Sequence, residues 1–157
     1  MIRIDILDAQ SMFTVDRKLI RSWARQSLKA LGTTDAEVSV VFTDNGEIQK
    51  LNHQYLGKDR PTNVISFPQN EGIGPRGFHI GDIVISLEQA ALEARDAGMS
   101  HSERIMQLLV HGICHLMGYD HEGVSPDAAG EMEVEEERIR GLLSVSAQSR
   151  GKAGQFT

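Results

Sequence analysis

Apolar and polar residues alternate from the first positions of the chain. Ile2, Ile4 and Ile6 are separated by Arg3 and Asp5, the period of two that predicts a strand over 2–7. From about 15 to 31 the period lengthens to that of a helix. Leu19, Ile20, Trp23, Ala24, Leu28 and Leu31 share one face, and Gly32 supplies a stop. Residues 37–42, Glu-Val-Ser-Val-Val-Phe, predict a second strand. Asp44 then caps a short helix, with Glu47 at its third position and Ile48, Leu51 and Tyr55 expected to face inward. Residues 57–61 form a turn, 63–67 a short strand closed by Pro68, and 69–77 a glycine-rich loop long enough to be a flap. A further strand covers 79–85. Ser86 with Gln89 caps a helix ending near Gly98, and Ser100 with Glu103 caps one from about 101 to 117. Ser125, with Pro126 at the first helical position, opens a last helix to about Leu143, and 144–157 is expected to be a flexible tail.

This order of elements predicts an α+β fold, a small mixed four-stranded sheet packed with about five helices, as a single domain over 1–157. With 40% hydrophobic and 24% charged residues the chain can bury a core. No apolar run approaches the ~18–20 residues of a membrane span, and no basic stretch leads into an apolar one at the start. The lone cysteine, Cys114, rules out an internal disulfide framework, so a cytoplasmic protein is expected. The net charge of −6 argues at first against a nucleic-acid partner. Residues 122–137, however, hold seven acidic residues and no Lys or Arg, leaving 16 basic against 15 acidic residues elsewhere. A basic surface therefore remains open to the rest of the chain.

The segment His111-Gly-Ile-Cys-His115-Leu-Met-Gly118-Tyr-Asp-His121 carries the chemistry. His111 and His115 are about one helical turn apart, on a helix anchored by Ile105, Leu108, Leu109 and Leu116, so both imidazoles leave the same face. Gly118 can take a left-handed conformation, end the helix, and let the chain bring His121 back as a third nitrogen. Three protein nitrogens leave one position of a tetrahedral zinc open, the arrangement of a catalytic rather than a structural site. The expected cofactor is one Zn2+, which lowers the pKa of a bound water to about 7. The same spacing belongs to metzincin proteases, but those place a glutamate base directly after the first histidine, where this chain has Gly112. A zinc-dependent peptidase is accordingly the weaker reading.

HGICHLMGYDHE closely resembles the signature of the YbeY family of bacterial rRNA-maturation endoribonucleases. LNHQYLGKDRPTNVISFP (51–68), HIGDIVIS (79–86) and the Glu-rich helix around Met132–Ile139 resemble further blocks of that family, in order along most of 40–140. The resemblance implies a fold related to zincins, zinc on His111, His115 and His121, and single-strand-specific RNA cleavage. It also implies roles in 16S rRNA 3′-end maturation and ribosome quality control. The implied partners are an rRNA precursor, the small ribosomal subunit and its biogenesis factors, without a membrane. A ribosome-biogenesis binding factor with structural zinc is the other alternative.

The family has an arginine after the tyrosine of the second block, thought to contact substrate phosphate. Here Leu56 follows Tyr55, and Arg60 is expected to substitute, with Lys58 as the neighbouring choice. Asn63 and Ser66 either line the cleft or make strand-end hydrogen bonds. Asp82 either orients a histidine ligand or pairs with an arginine. Asp120 is either a proton-transfer group or a turn cap, and Tyr119 is read as a packing residue. Cys114 is expected in the core, and the glutamates of 131–137 on a solvated helix face. Attack by zinc-bound hydroxide leaves a 3′-hydroxyl or 5′-phosphate end, and attack by the substrate's 2′-hydroxyl leaves a 2′,3′-cyclic phosphate. Both routes stay open, as do the general base and the oligomeric state.

Overall fold

A computed structural model describes residues 1–69, 79–118 and 126–149. In chain order it has β1 (Ile2–Asp8), α1 (Arg17–Ala30), β2 (Ala36–Thr43), α2 (Asn45–Leu56), β3 (Val64–Pro68) and β4 (His79–Ser86). Three helices follow, α3 (Leu87–Ala97), α4 (His101–Leu116) and α5 (Pro126–Ser149). The protein is thus α+β with one four-stranded mixed sheet and five helices. The sheet order is β1-β2-β4-β3, with β1, β2 and β4 parallel and β3 antiparallel to β4. Pro68 sits at the end of β3, an edge strand, where its missing N–H breaks no ladder. The last helix runs six residues beyond its expected end at Leu143, and the segment read as a flap lies, after Gln69, outside the described residues.

Side-chain alternation divides the core between the two faces of the sheet. Val38, Val40 and Phe42 of β2 and Ile83 and Ile85 of β4 join Leu19, Ile20 and Trp23 of α1 and Ile105, Leu109 and Ile113 of α4. Each such fully buried side chain contributes about 1.5–3 kcal/mol. On the other face Ile48 of α2 packs with Ile65 and Val84, flanked by Leu51 and Phe67. Tyr55 does not turn inward as expected. It lies on the last turn of α2 and is 58% exposed, with its ring in edge contact with Phe67 of β3.

The helix starts follow their caps. Asp44 accepts from the Glu47 amide, Ser86 from Gln89 and Ser100 from Glu103, each supplying an acceptor that the first turn lacks. The middle of α4 is apolar nearly all round because α1, α3, α5, β3 and β4 all touch it. Its packing holds the two histidines of its C-terminal half in place.

Candidate metal centre

Gly112 sets how closely α4 approaches the sheet. A Cβ built there would lie 2.8 Å from Ile83 Cγ2 and 3.2 Å from Cδ1, so only glycine allows this contact. His111 is the residue immediately before this contact, and its Nδ1 faces Glu136 of α5. His115, one turn later, leaves the same face. The two Nε2 atoms stand 3.1 Å apart, with the ring planes at 80°. Two nitrogens each ~2.0–2.1 Å from one tetrahedral ion are roughly 3.3 Å apart, so this pair fits a shared cation with little adjustment. The helix ends at Leu116, and Gly118 has φ +99°, the left-handed turn expected of it. His121, Asp120 and Tyr119 lie outside the described residues.

The sequence reading missed Glu136. Its carboxylate is buried, and Oε1 lies 2.5 Å from Nδ1 of His111. That bond assigns the proton to Nδ1 and directs the Nε2 lone pair toward His115, as a histidine ligand requires. A signal was present. Met132, Glu136, Ile139 and Leu143 recur at spacings of four, three and four, so Glu136 replaces one member of the apolar stripe that docks α5 on α4. The acidic run around it disguised the exception. We expect Glu136→Gln to weaken metal affinity by about 10–100-fold while the protein stays folded. Zinc titration against a competing chelator, alongside circular dichroism, measures it, and wild-type affinity would deny Glu136 this role.

A cavity of about 250 Å³ opens beside His111, lined by Asn63, Arg104, Gln107, Glu136 and Arg140 among others. Arg104 is committed elsewhere. Its Nη2 lies 2.8 Å from Glu93 Oε1, and its Nη1 donates to Gln107 Oε1 at 2.7 Å. Burial works to raise the pKa of Glu93, but hydrogen bonds from Asn63, Gln89 and Arg104 and the arginine's charge outweigh it, holding the carboxyl below its ordinary 4.5. Glu93 is therefore ionised at neutral pH and ties α3 to α4 and to Asn63, the residue just before β3. Arg140, half-buried on α5, has no hydrogen-bond partner among the described residues and is the cation that faces this space.

The family described as Endoribonuclease YbeY matches residues 5–144. The chain belongs to the YbeY family. An Endoribonuclease YbeY of Geobacter sulfurreducens is 42% identical over 143 residues, covering 90% of this chain and 95% of that one. Its counterpart in Aquifex aeolicus is 44% identical over 140 residues, covering 88% and 87%. The solution structure of TM1509 from Thermotoga maritima is similar at a TM-score of 0.65 and 25% identity, over 99% of this chain and 97% of that one.

The other residues of the YbeY-like blocks divide between site and scaffold. Asn63 does both jobs that its position allowed, lining the cavity while its Nδ2 donates to Glu93 at 3.1 Å. Ser66 points toward α4 and donates to the Gly112 carbonyl at 3.3 Å. Arg60 and Lys58 are exposed on the turn after α2, where the Arg60 carbonyl accepts from Asn52, and neither is among the described residues lining the cavity. Asp82 corrects the sequence reading. It meets neither a ligand histidine nor an arginine but His79, at 3.0 Å, with Glu37 on the other ring nitrogen at 3.3 Å. The alternation that points Ile83 at α4 turns Asp82 to the opposite face. Cys114 is fully buried in the core, its thiol pushed up to about 12 by burial first and by the Glu136 and Glu135 carboxylates next.

No helix among the described residues is long and apolar enough to cross a membrane.

Proposed function

We propose that this member of the endoribonuclease YbeY family is a zinc-dependent, single-strand-specific endoribonuclease that trims the 3′ end of 16S rRNA and serves ribosome quality control. The expected partners are the rRNA precursor, the small ribosomal subunit and its biogenesis factors, in the cytoplasm. The observation that carries the metal-dependent reading is the 3.1 Å approach of the His111 and His115 Nε2 atoms, with the opposite nitrogen of His111 held by a buried carboxylate.

His111 and His115 would hold the zinc ion together with His121. When bound, the ion supplies Lewis acidity and, at neutral pH, hydroxide. Glu136 keeps the proton on His111 Nδ1 and its charge offsets part of the cation's. Arg140 meets a phosphate oxygen entering the cavity and stabilises the negative charge gathering on the non-bridging phosphate oxygens. Asn63 and Gln107 offer neutral amide groups beside it, and Arg104 is held back from the substrate by Glu93. Arg60 serves the strand from the turn outside, where screening by solvent makes its contact weaker.

Two substitutions separate the arginines. Arg140→Ala is expected to lower cleavage of a single-stranded RNA by about 10²-fold, the usual cost of one preorganised charge donor, and Arg60→Ala by about tenfold or less. The assay uses protein purified without a histidine tag, analysed for metal, on single-stranded and duplexed RNA with and without chelator. Full cleavage in the presence of chelator, or equal cutting of both RNAs, would refute the reading. Equal cleavage by Arg140→Ala and wild type would remove Arg140 from it.

A further inference from the structure

On α1 the residues Arg17, Arg21, Arg25 and Lys29 repeat every four positions, and the helix carries Lys18 besides, with no Asp or Glu between 17 and 30. Such a stack is unfavourable to the helix, since each like-charge pair one turn apart costs a few tenths of a kcal/mol, ~0.2–0.5. Its arrangement on the sheet is regular. β1 is an edge strand, and the carbonyls of Ile2, Ile4 and Ile6 point away from β2. Arg17 Nη1 donates to Ile6 O at 3.0 Å, Arg21 Nε to Ile4 O at 3.4 Å and Arg25 Nη2 to Ile2 O at 3.5 Å. One helical turn rises about 5.4–6 Å and two strand residues span about 6.6 Å, so helix and edge stay in step. The guanidinium groups therefore stand in a row along the edge, and the two longer contacts leave donors for something else.

Nearby acids do not neutralise the row. Asp16 caps α1, Asp5 faces Arg3, Asp8 accepts from Gln10, and Asp35 pairs with the terminal amine. The row ends at a cavity of about 540 Å³ lined by Met1, Ile2, Arg25, Lys29, Thr33 and Thr34, among others. Four helix residues rise about 6 Å, so the cations follow one another along the edge at roughly that interval, a regular row of charge that an extended polyanion such as a nucleic-acid strand can track. The sheet order sets this edge opposite β3, where the His111 cavity opens, while the acidic residues concentrate on α5.

We propose that the α1–β1 edge is a second RNA-docking surface, in which Arg17, Arg21, Arg25 and Lys29 hold the phosphate backbone of a strand away from the scissile bond. This rests on the RNA reading above. It explains how a chain of net charge −6 can hold RNA, through one basic edge rather than an overall field.

The test is fluorescence anisotropy of the full chain with a labelled 2′-O-methyl RNA oligonucleotide across a salt series, its integrity checked on a gel. The quadruple change Arg17→Gln, Arg21→Gln, Arg25→Gln, Lys29→Gln is expected to reduce the slope of log affinity against log salt by about 3, at ~0.7 per contact. Because this variant also strips the edge of its carbonyl partners, Lys18→Glu with Lys29→Glu is made in parallel, at exposed positions without such contacts. It is expected to weaken binding by about tenfold or more near 0.1 M salt. Arg17→Lys, Arg21→Lys and Arg25→Lys together should restore most of the affinity.

Unchanged affinity and slope in folded variants would overturn the proposal. So would wild-type protein that binds phosphatidylserine vesicles through these residues and no RNA. Cleavage of the same sequence as plain RNA by the unaltered protein is measured separately. Cleavage with edge-independent binding overturns this inference alone, and edge-dependent binding without any cleavage overturns the nuclease reading alone.

Discussion

His111→Ala, purified without a histidine tag, is expected to lose its zinc and about 10³-fold or more of its RNA cleavage, the equivalent of ~4 kcal/mol in the barrier. His115→Ala should do the same to metal content, since its Nε2 lies 3.1 Å from that of His111. The two should differ in stability. His111 is a hydrogen-bond partner of the buried Glu136 carboxylate, and removing it costs about 1–3 kcal/mol in the metal-free protein. The corresponding change at His115 leaves that bond intact. Metal analysis, cleavage rate and urea unfolding of both variants check all three points. A His111→Ala protein that keeps stoichiometric zinc and cuts RNA at the wild-type rate would remove the metal centre from the mechanism.

Gly112→Glu would rebuild the metzincin order of residues, and it is expected to unfold the protein rather than create a peptidase. The new Cβ would lie 2.8 Å, and the next contacts 3.2 and 3.3 Å, from three atoms of Ile83, a fully buried β-branched residue in the middle of β4. Overpacking of this kind costs about 1–3 kcal/mol. A carboxylate forced into the same apolar contact adds several kcal/mol more, on the order of the whole stability of a domain this size. Gly112→Ala separates the terms. It gains up to about 1 kcal/mol of helix propensity and pays the clash without the charge. Denaturant unfolding of both, with a peptidase assay on any folded Gly112→Glu, decides the matter. A stable, proteolytically active Gly112→Glu would mean that α4 does not approach the sheet as closely as described.

The absence of the protease base is therefore more than one missing side chain. The position next to His111 is occupied by the contact that holds α4 on β4, and Ser66 of β3 donates to the same residue's carbonyl. Packing and chemistry compete for one residue, and here packing has it.

Local periodicity alone sufficed for the elements, for the caps at Asp44, Ser86 and Ser100, and for two histidines one turn apart on a helix that ends at a left-handed glycine. These depend on neighbours within a few residues, so they can be read in one dimension. Which carboxylate reaches His111 could not be read that way. Glu136 is 25 residues distant, and it differs from the adjacent glutamates only in lying on the stripe that α5 turns toward α4. The same holds for Asp82, which meets His79 three residues away because the β2–β4 ladder shifts register between Glu37 and Val38, and for Arg140, which meets the cavity only through the docking of α5. Residue spacing determined which groups could bind a cation. The long-range packing of α4 against β4 and α5 decided which charges surround it, because burial and electrostatic contact are properties of surfaces brought together, not of the order of residues along the chain.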